Sequence, residues 1–297
     1  MLAQMADTES FKWRISSRSK MKKLIATDLD GTLLYPFSPF RFVPKRNVKF
    51  LREYIDQGGR VALVSARGEF FVNRVIKQIG RPIDSLVNNS AAIIHNGEYL
   101  RKDTISNELA NRIVKYFYEN HMLRGRTMYL TTDKYGLIIN TSKTGLMTWV
   151  GTLIWALKFG WNAEKIKSSK KMYEKTLESG IINKIVIYNG TKKSKRLKGE
   201  AICQDIIDKF PEITASWSNY ITEITPVGCN KAEGLKFYAR KLGILPEDMI
   251  VIGDSGNDLP MFEAFPNSFC MSHAVSSVKA SAKHEIKQVC DLANFKD

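Results

Sequence analysis

The segment at residues 25–34, Ile-Ala-Thr-Asp-Leu-Asp-Gly-Thr-Leu-Leu, constrains the fold more than any other part of the chain. An apolar strand ends there in two aspartates, Asp28 and Asp30, and Gly31 follows at once. Residues two apart in an extended segment point to the same side, so we expect the two carboxylates to crowd one spot, at a cost unless a cation neutralises them. A divalent cation, with one aspartate as nucleophile and the other as acid and base, suits this pattern. A polar strand end that feeds a turn is the simpler alternative.

The length and charge of the chain set the next limits. A chain of 297 residues is long for one domain and natural for two. The net charge is +15, and residues 96–200 hold 20 Lys and Arg residues against 9 Asp and Glu residues. This excess favours anionic partners, although a solvated basic surface explains it equally well.

Cysteine usage and hydropathy point to the cytoplasm. The four cysteines show no Cys-x-x-Cys spacing, which argues against a zinc site and a disulfide framework. Residues 1–20 are polar, and we expect a poorly ordered extension without a secretory signal. Residues 145–157 carry no charge but are too short for a bilayer, which needs ~20 residues, so we expect a buried or interfacial helix and no membrane partner.

The order of elements predicts an α/β core interrupted by an α+β insert. Short apolar strands alternate with helices in the first and last thirds, which is typical of a parallel sheet with right-handed crossovers. The middle third has a different style, with a helix expected over 104–121, paired strands, and a basic helix over 163–177. We predict a core of residues 21–95 and 215–297, and a cap of residues 96–214.

Two further motifs lie where a ligand of such a sheet would bind, at the carboxyl ends of strands. Ser65-Ala66-Arg67-Gly68 ends the second strand, and its hydroxyl and backbone N–H groups could hold a phosphate or form a turn. Lys231 opens a helix, where a cation opposes the helix dipole. A bound anion would offset that effect, while an ordinary surface lysine is the alternative.

The last motif is Gly-Asp-Ser-Gly-Asn-Asp at residues 253–258. Asp254 directly follows an apolar strand, and Asp258 lies one helical turn further on, where an acidic residue also caps a helix well. If this loop meets Asp28 and Asp30, three or four carboxylates share one crevice. Such a cluster implies Mg²⁺, which takes oxygen ligands.

The four motifs in this order resemble those of the haloacid dehalogenase (HAD) superfamily. Within it, the chain resembles the Cof-type phosphatases, which carry a large C2-type α+β cap between the second and third motifs. The resemblance covers about residues 22–95 and 215–285, and it implies a Rossmann-like parallel-sheet core with an inserted cap.

The resemblance also implies a role for each matched residue. Asp28 would form an aspartyl-phosphate, while Asp30 would protonate the leaving oxygen, activate water and touch the metal through its backbone carbonyl. The other implied contacts are Asp254 on Mg²⁺, Asp258 beside the metal, and Ser65, Ala66 N–H, Lys231 and Asn257 around the phosphoryl group. The family's second motif often reads Thr-Gly-Arg where this chain has Ser-Ala-Arg. Asn89, where the core leads into the cap, could contact substrate or form a hinge turn.

These observations predict a Mg²⁺-dependent phosphatase for a small phosphorylated metabolite, such as a sugar phosphate. A phosphomutase, which passes the phosphoryl group to a sugar hydroxyl, is one alternative. The other is a basic protein that binds nucleic acid or another anion through residues 191–198 and the cap lysines. We expect no nucleic-acid partner, and either a monomer or a homodimer.

Overall fold

The structure is a computed structural model that describes residues 23–36, 43–122, 126–132, 136–139, 166–167, 170–189, 198–217 and 221–295. The expectations for residues 1–20, 145–157 and 191–197 lie outside this range. The strands are β1 (Leu24–Thr27), β2 (Arg60–Val64), β3 (Asp84–Val87), β4 (Ala92–His95), β5 (Glu98–Lys102), β6 (Thr127–Thr132), β7 (Gly136–Ile139), β8 (Ile166–Lys167), β9 (Ile182–Tyr188), β10 (Ile213–Trp217), β11 (Ile221–Pro226), β12 (Met249–Gly253), β13 (Asn267–Met271) and β14 (His284–Ile286). The helices are α1 (Lys45–Asp56), α2 (Glu69–Ile79), α3 (Asn107–Glu119), α4 (Lys170–Ser179), α5 (Lys198–Lys209), α6 (Lys231–Leu242), α7 (Leu259–Ala264) and α8 (Ser276–Lys279).

The larger sheet has the order β14-β13-β12-β1-β2-β3-β4-β5 and runs parallel from β14 to β3. Only β4 and β5 pair antiparallel to their neighbours. All four residues of β1 are buried, as expected for a strand with helices over both faces. One face packs on α1 and α2 through residues such as Leu51 and Val72, and the other on α6 and α7 through Leu235 and Phe262. The α/β fold with an inserted second sheet confirms the predicted fold class.

The smaller sheet has the order β10-β11-β9-β6-β7-β8 and is antiparallel except between β7 and β8. Its apolar face packs against α3 and α5, with Phe117 and Ile206 fully buried. We call the part of the chain that builds this sheet the cap.

The cap boundaries differ from the predicted ones at residues 96 and 214. β5, at residues 98–102, pairs with β4 and stays in the larger sheet, while β10 and β11 extend the smaller sheet to Pro226. The strand pairs at the two junctions are β4–β5 and β10–β11. Their composition does not indicate which sheet they join, so the sequence could not predict these boundaries.

Two helices of the cap, α3 and α4, also begin later than the sequence predicts. α3 begins at Asn107 because the Ser106 side chain accepts a hydrogen bond from Leu109 N, which caps the helix. The basic helix expected over 163–177 is observed only from Lys170, because residues 166–167 pair with β7 as a strand. Within the described ranges, no helix has the length and apolar character needed to cross a membrane.

Candidate active site

The site lies at the carboxyl ends of three neighbouring strands. β1 lies between β2 and β12, with Thr27 opposite Leu63 on one side and Ile252 on the other. Asp28 therefore follows the central strand, Ser65 the second and Asp254 the third, and all leave the sheet at the same edge. This topology brings together motifs that lie more than 200 positions apart in the chain.

Three carboxylates converge at this edge. Asp28, Asp254 and Asp258 each offer one oxygen, and these oxygens all lie within 4.8 Å of one another. Asp28 is 4% exposed and Asp258 is fully buried. The opening strand and the loop at 253–258 thus meet within reach of a single cation.

Lys231 places one positive charge among these acids. Its Nζ lies 2.7 Å from Asp28 Oδ1 and 2.6 Å from Asp258 Oδ1, and 3.4 Å from Asn257 Oδ1. Asn230 caps the helix by accepting a hydrogen bond from Glu233 N, which fixes the first turn that carries the lysine. Burial lowers the pKa of the lysine, but the two carboxylates outweigh it and raise the pKa overall. The lysine is therefore protonated at neutral pH.

Asp258 organises the loop before it. Its Oδ2 accepts hydrogen bonds from the backbone N–H groups of Asp254 and Ser255, both at 3.0 Å. Its Oδ1 binds the Lys231 ammonium, so both oxygens of Asp258 have partners. This arrangement suits a residue that supports the cluster.

Asp254 is held by the opening segment. The Thr32 hydroxyl donates to Asp254 Oδ1 at 3.1 Å, and Gly31 lies against the other oxygen. A Cβ atom at Gly31 would lie 2.2 Å from Asp254 Oδ2. The φ of Gly31, +83°, is also one that residues with a side chain rarely adopt. The glycine is needed here for its conformation and for its lack of a side chain.

The electrostatics of the cluster favour a bound cation. Burial, followed by the Asp258 charge, raises the pKa of Asp254 to about 7. Burial also raises the pKa of Asp28, and the Asp258 and Asp254 charges add to that effect, although Lys231 opposes it. Three carboxylates with one ammonium leave excess negative charge, and an all-oxygen donor set fits a hard divalent cation.

Asp30 lies in a different environment from the one expected. Its carboxylate forms a two-point ion pair with Arg67, at 2.7 Å from Nε and 2.9 Å from Nη2, and it does not belong to the three-carboxylate cluster. The physical reason is that β1 ends at Thr27 and residues 29–33 form a tight turn, closed by hydrogen bonds from Leu33 N to Asp28 O and from Leu34 N to Leu29 O. The alternation of an extended strand therefore does not carry from Asp28 to Asp30.

The loop after β2 is a compact turn joined to a second turn. Ser65 Oγ accepts a hydrogen bond from Arg67 N at 3.1 Å, and this bond closes the turn over residues 65–67. Asn88 N donates to Arg67 O and Asn89 N to Ser65 O, which ties this loop to the turn after β3. Residues 88–90 all have positive φ.

Sequence reasoning missed two buried cap residues that contact these loops. Lys184 Nζ donates to Ala66 O and Glu223 Oε1, both at 2.6 Å, and the Asn89 amide donates to Glu223 Oε2 at 3.0 Å. Asn89 thus contacts the cap, while a substrate contact stays a prediction. A charged residue within each apolar strand, Ile-Asn-Lys-Ile-Val and Ile-Thr-Glu-Ile, was the available signal.

Two histidines differ in their relation to the site. His95 lies away from the cluster, with its Nδ1 2.9 Å from Asp84 Oδ2. His273 Nε2 lies 3.7 Å from Asp254 Oδ2, and the ring stacks on Tyr35 with centroids 3.9 Å apart. This stacked pair lies beside the acidic cluster.

Comparisons with known proteins match almost the whole chain. The model of a family described as haloacid dehalogenase-like hydrolase matches residues 25–293. The 5-amino-6-(5-phospho-D-ribitylamino)uracil phosphatase YwtE of Bacillus subtilis is 26% identical over 275 residues, which cover 86% of this chain and 90% of the relative. An HMP-PP phosphatase of Escherichia coli is 22% identical over 267 residues, 89% of each chain.

The architecture is also similar to solved structures. A haloacid dehalogenase-like hydrolase from Bacteroides thetaiotaomicron superposes with a TM-score of 0.73 at 21% identity, covering 92% of this chain and 98% of that one. At 21% identity, this similarity supports the fold alone. Membership of the family is shown by the match of the sequence to the family model. The chain therefore belongs to the haloacid dehalogenase-like hydrolases.

Proposed function

We propose that the protein is a Mg²⁺-dependent phosphatase that hydrolyses a small phosphorylated metabolite through an aspartyl-phosphate. The observation that carries this proposal is the convergence of Asp28, Asp254 and Asp258 around the Lys231 ammonium at the carboxyl edge of the sheet. An anionic nucleophile and an anionic substrate can meet only where positive charge is supplied.

Asp28 is the proposed nucleophile. One of its oxygens attacks phosphorus, the bond to the leaving oxygen breaks, and Asp30 gives that oxygen a proton, which releases an alcohol. Asp30 then takes a proton from water, the water oxygen attacks the aspartyl-phosphate, and inorganic phosphate leaves while Asp28 is restored. In the structure the Asp30 carboxylate is ion-paired with Arg67, so Asp30 must leave Arg67 and take up a proton before it acts as the acid.

Lys231, Ser65, the N–H of Ala66 and Asn257 are the proposed contacts of the phosphoryl oxygens. Lys231 is charged and fixed by two carboxylates, so it needs no reorganisation when a phosphoryl group arrives. Mg²⁺ would be held by Asp28, Asp254 and the Asp30 carbonyl, with Asp258 behind them, and it would supply further neutralisation of charge.

The substrate class is inferred from the relatives. YwtE and the HMP-PP phosphatase are both named for small phosphorylated compounds. Because residues 96–200, which include most of the cap, contain an excess of positive charge, we infer that the substrate is an anionic small molecule.

The test is hydrolysis of p-nitrophenyl phosphate with and without Mg²⁺. We expect Mg²⁺-dependent turnover that Asp28→Asn lowers by more than about 1,000-fold, because the amide is a poor nucleophile. Asp56→Asn, an exposed acid paired with Arg81 on the outside of the core, should leave the rate unchanged. Equal turnover by the wild type and Asp28→Asn would refute the assigned nucleophile.

A screen of phosphorylated metabolites at one Mg²⁺ concentration would then define the substrate. Product analysis with hexose phosphates separates hydrolysis, which releases inorganic phosphate, from transfer to a second hydroxyl.

A further inference from the structure

Two oppositely charged residues are buried where the cap meets the core. Lys184 lies in β9 and Glu223 in the neighbouring β11, and they are 7% and 6% exposed. The ammonium and the carboxylate lie 2.6 Å apart. Burying such a pair costs solvation energy that the mutual attraction often fails to repay, so its presence calls for an explanation beyond stability.

Both residues bind core loops that border the candidate active site. Lys184 donates to the Ala66 carbonyl in the loop after β2, and Glu223 accepts from the Asn89 amide in the turn after β3. Since Asn89 N donates to Ser65 O, the loop and the turn form one unit. Lys184 therefore binds the loop and Glu223 binds the turn.

The contact with Ala66 extends to the Ser65 hydroxyl. The Ala66 carbonyl and the Arg67 N–H belong to one planar peptide group and point in opposite directions. Lys184 binds the carbonyl on one side, and the N–H on the other side donates to Ser65 Oγ at 3.1 Å. A rotation of this peptide group that is large enough to break the bond to Lys184 also breaks the bond to Ser65 Oγ, so the cap ammonium restrains the peptide group that binds the hydroxyl oxygen.

We propose that Lys184 and Glu223 are positioning residues that hold the 65–67 loop in its phosphate-binding conformation. Lys184 fixes the Ala66–Arg67 peptide group, and Glu223 fixes Lys184 from behind while it anchors the adjoining turn through Asn89. This inference rests on the proposed function insofar as the loop is taken to bind the phosphoryl group.

The variants are chosen to separate positioning from folding. Lys184→Met removes the charge but leaves Glu223 buried without its cation, which alone could unfold the protein. The double variant Lys184→Met/Glu223→Leu removes both charges and keeps the volume apolar, a replacement that is often neutral or stabilising. Lys171→Met, at an exposed position of α4, is the control.

Three measurements on full-length protein test the proposal. In the double variant, amide exchange across residues 65–68 should be about 10-fold faster, as expected for the loss of one hydrogen bond. The affinity for inorganic phosphate, measured by calorimetry with Mg²⁺, should fall about 10-fold. The kcat/KM for p-nitrophenyl phosphate should fall about 10- to 100-fold, while the melting temperature and the Lys171→Met control stay near the wild type.

The outcomes distinguish this inference from the proposed function. A folded double variant with wild-type loop exchange and phosphate affinity would overturn the positioning role, even if the enzyme is an active phosphatase. If the wild type hydrolyses no phosphate ester but the double variant still loosens residues 65–68, the proposed function fails and the positioning role stands.

Discussion

Lys231 Nζ lies 2.7 Å from Asp28 Oδ1, although the two residues are 203 positions apart in the chain and both are buried. The lysine also binds Asp258, so it joins the opening strand to the loop after β12. Among the residues that the structure describes, this ammonium is the cation that pairs with both carboxylates.

Replacement of Lys231 should destabilise the fold as well as the site. We expect Lys231→Met to lower the free energy of unfolding by about 3–5 kcal/mol, because two buried carboxylates lose their cation. Urea denaturation measures the change. Lys236→Met, on the same helix but half-exposed beside Glu233, should change the free energy by less than about 1 kcal/mol. Similar values for both variants would contradict the importance of the buried network.

Mg²⁺ should stabilise the folded protein. A ligand that binds only the folded state at 100 times its Kd raises the free energy of unfolding by about 2.7 kcal/mol, so the melting temperature should rise on titration with Mg²⁺ and fall back with a chelator. Asp254→Asn should weaken this response, because it removes one of three converging carboxylates.

Glu247→Gln supplies the matched control for that titration. Glu247 is exposed and lies just before β12, whereas Asp254 follows the same strand at its other end. A Mg²⁺ response that Glu247→Gln reduces as much as Asp254→Asn would exclude specific binding at the cluster.

Gly31→Ala should impair the site through a clash with Asp254 as well as through backbone strain. Gly31 and Gly58 have nearly the same φ, +83° and +85°, but a Cβ at Gly31 meets Asp254 while one at Gly58 meets nothing within 4 Å. Both substitutions should cost about 1 kcal/mol of stability through φ. Only Gly31→Ala should also reduce Mg²⁺ affinity and turnover. Equal activity of the two variants would show that the close approach is unimportant.

The Lys184–Glu223 pair predicts a pH dependence of stability. Burial raises the pKa of Glu223, but Lys184 and the Asn89 amide outweigh it and lower the pKa overall. A carboxylate with a lowered pKa in the folded state stabilises the fold above its unfolded pKa of ~4.3 and loses that contribution as the pH falls through the folded value.

The difference in unfolding free energy between the wild type and Glu223→Gln should therefore be constant above about pH 5 and should shrink below about pH 4. Chemical denaturation between pH 3.5 and 7 measures it. A difference that grows toward acid pH would contradict the charged state of Glu223.

The sequence revealed the core and the acidic cluster because each motif follows an apolar strand, and parallel strands end at one edge. Asp28 and Asp254 could be placed together in this way without coordinates. The side chain of Asp30 could not, since its direction depends on the turn over residues 29–33 and on Arg67, 37 positions away. Lys184 and Glu223 were not predicted, because a charge within an apolar strand marks an unusual position but does not show how the cap sits on the core.

The place of β1 in the larger sheet has a consequence for synthesis of the chain on the ribosome. β1 needs β12 as its neighbour, and Asp28 needs Lys231, yet the whole cap is translated between them. At 5–20 residues per second, roughly 10 to 40 s pass before the missing lysine is made. During this delay the nascent chain displays an open apolar strand edge, so newly made protein is more exposed to aggregation than the finished enzyme.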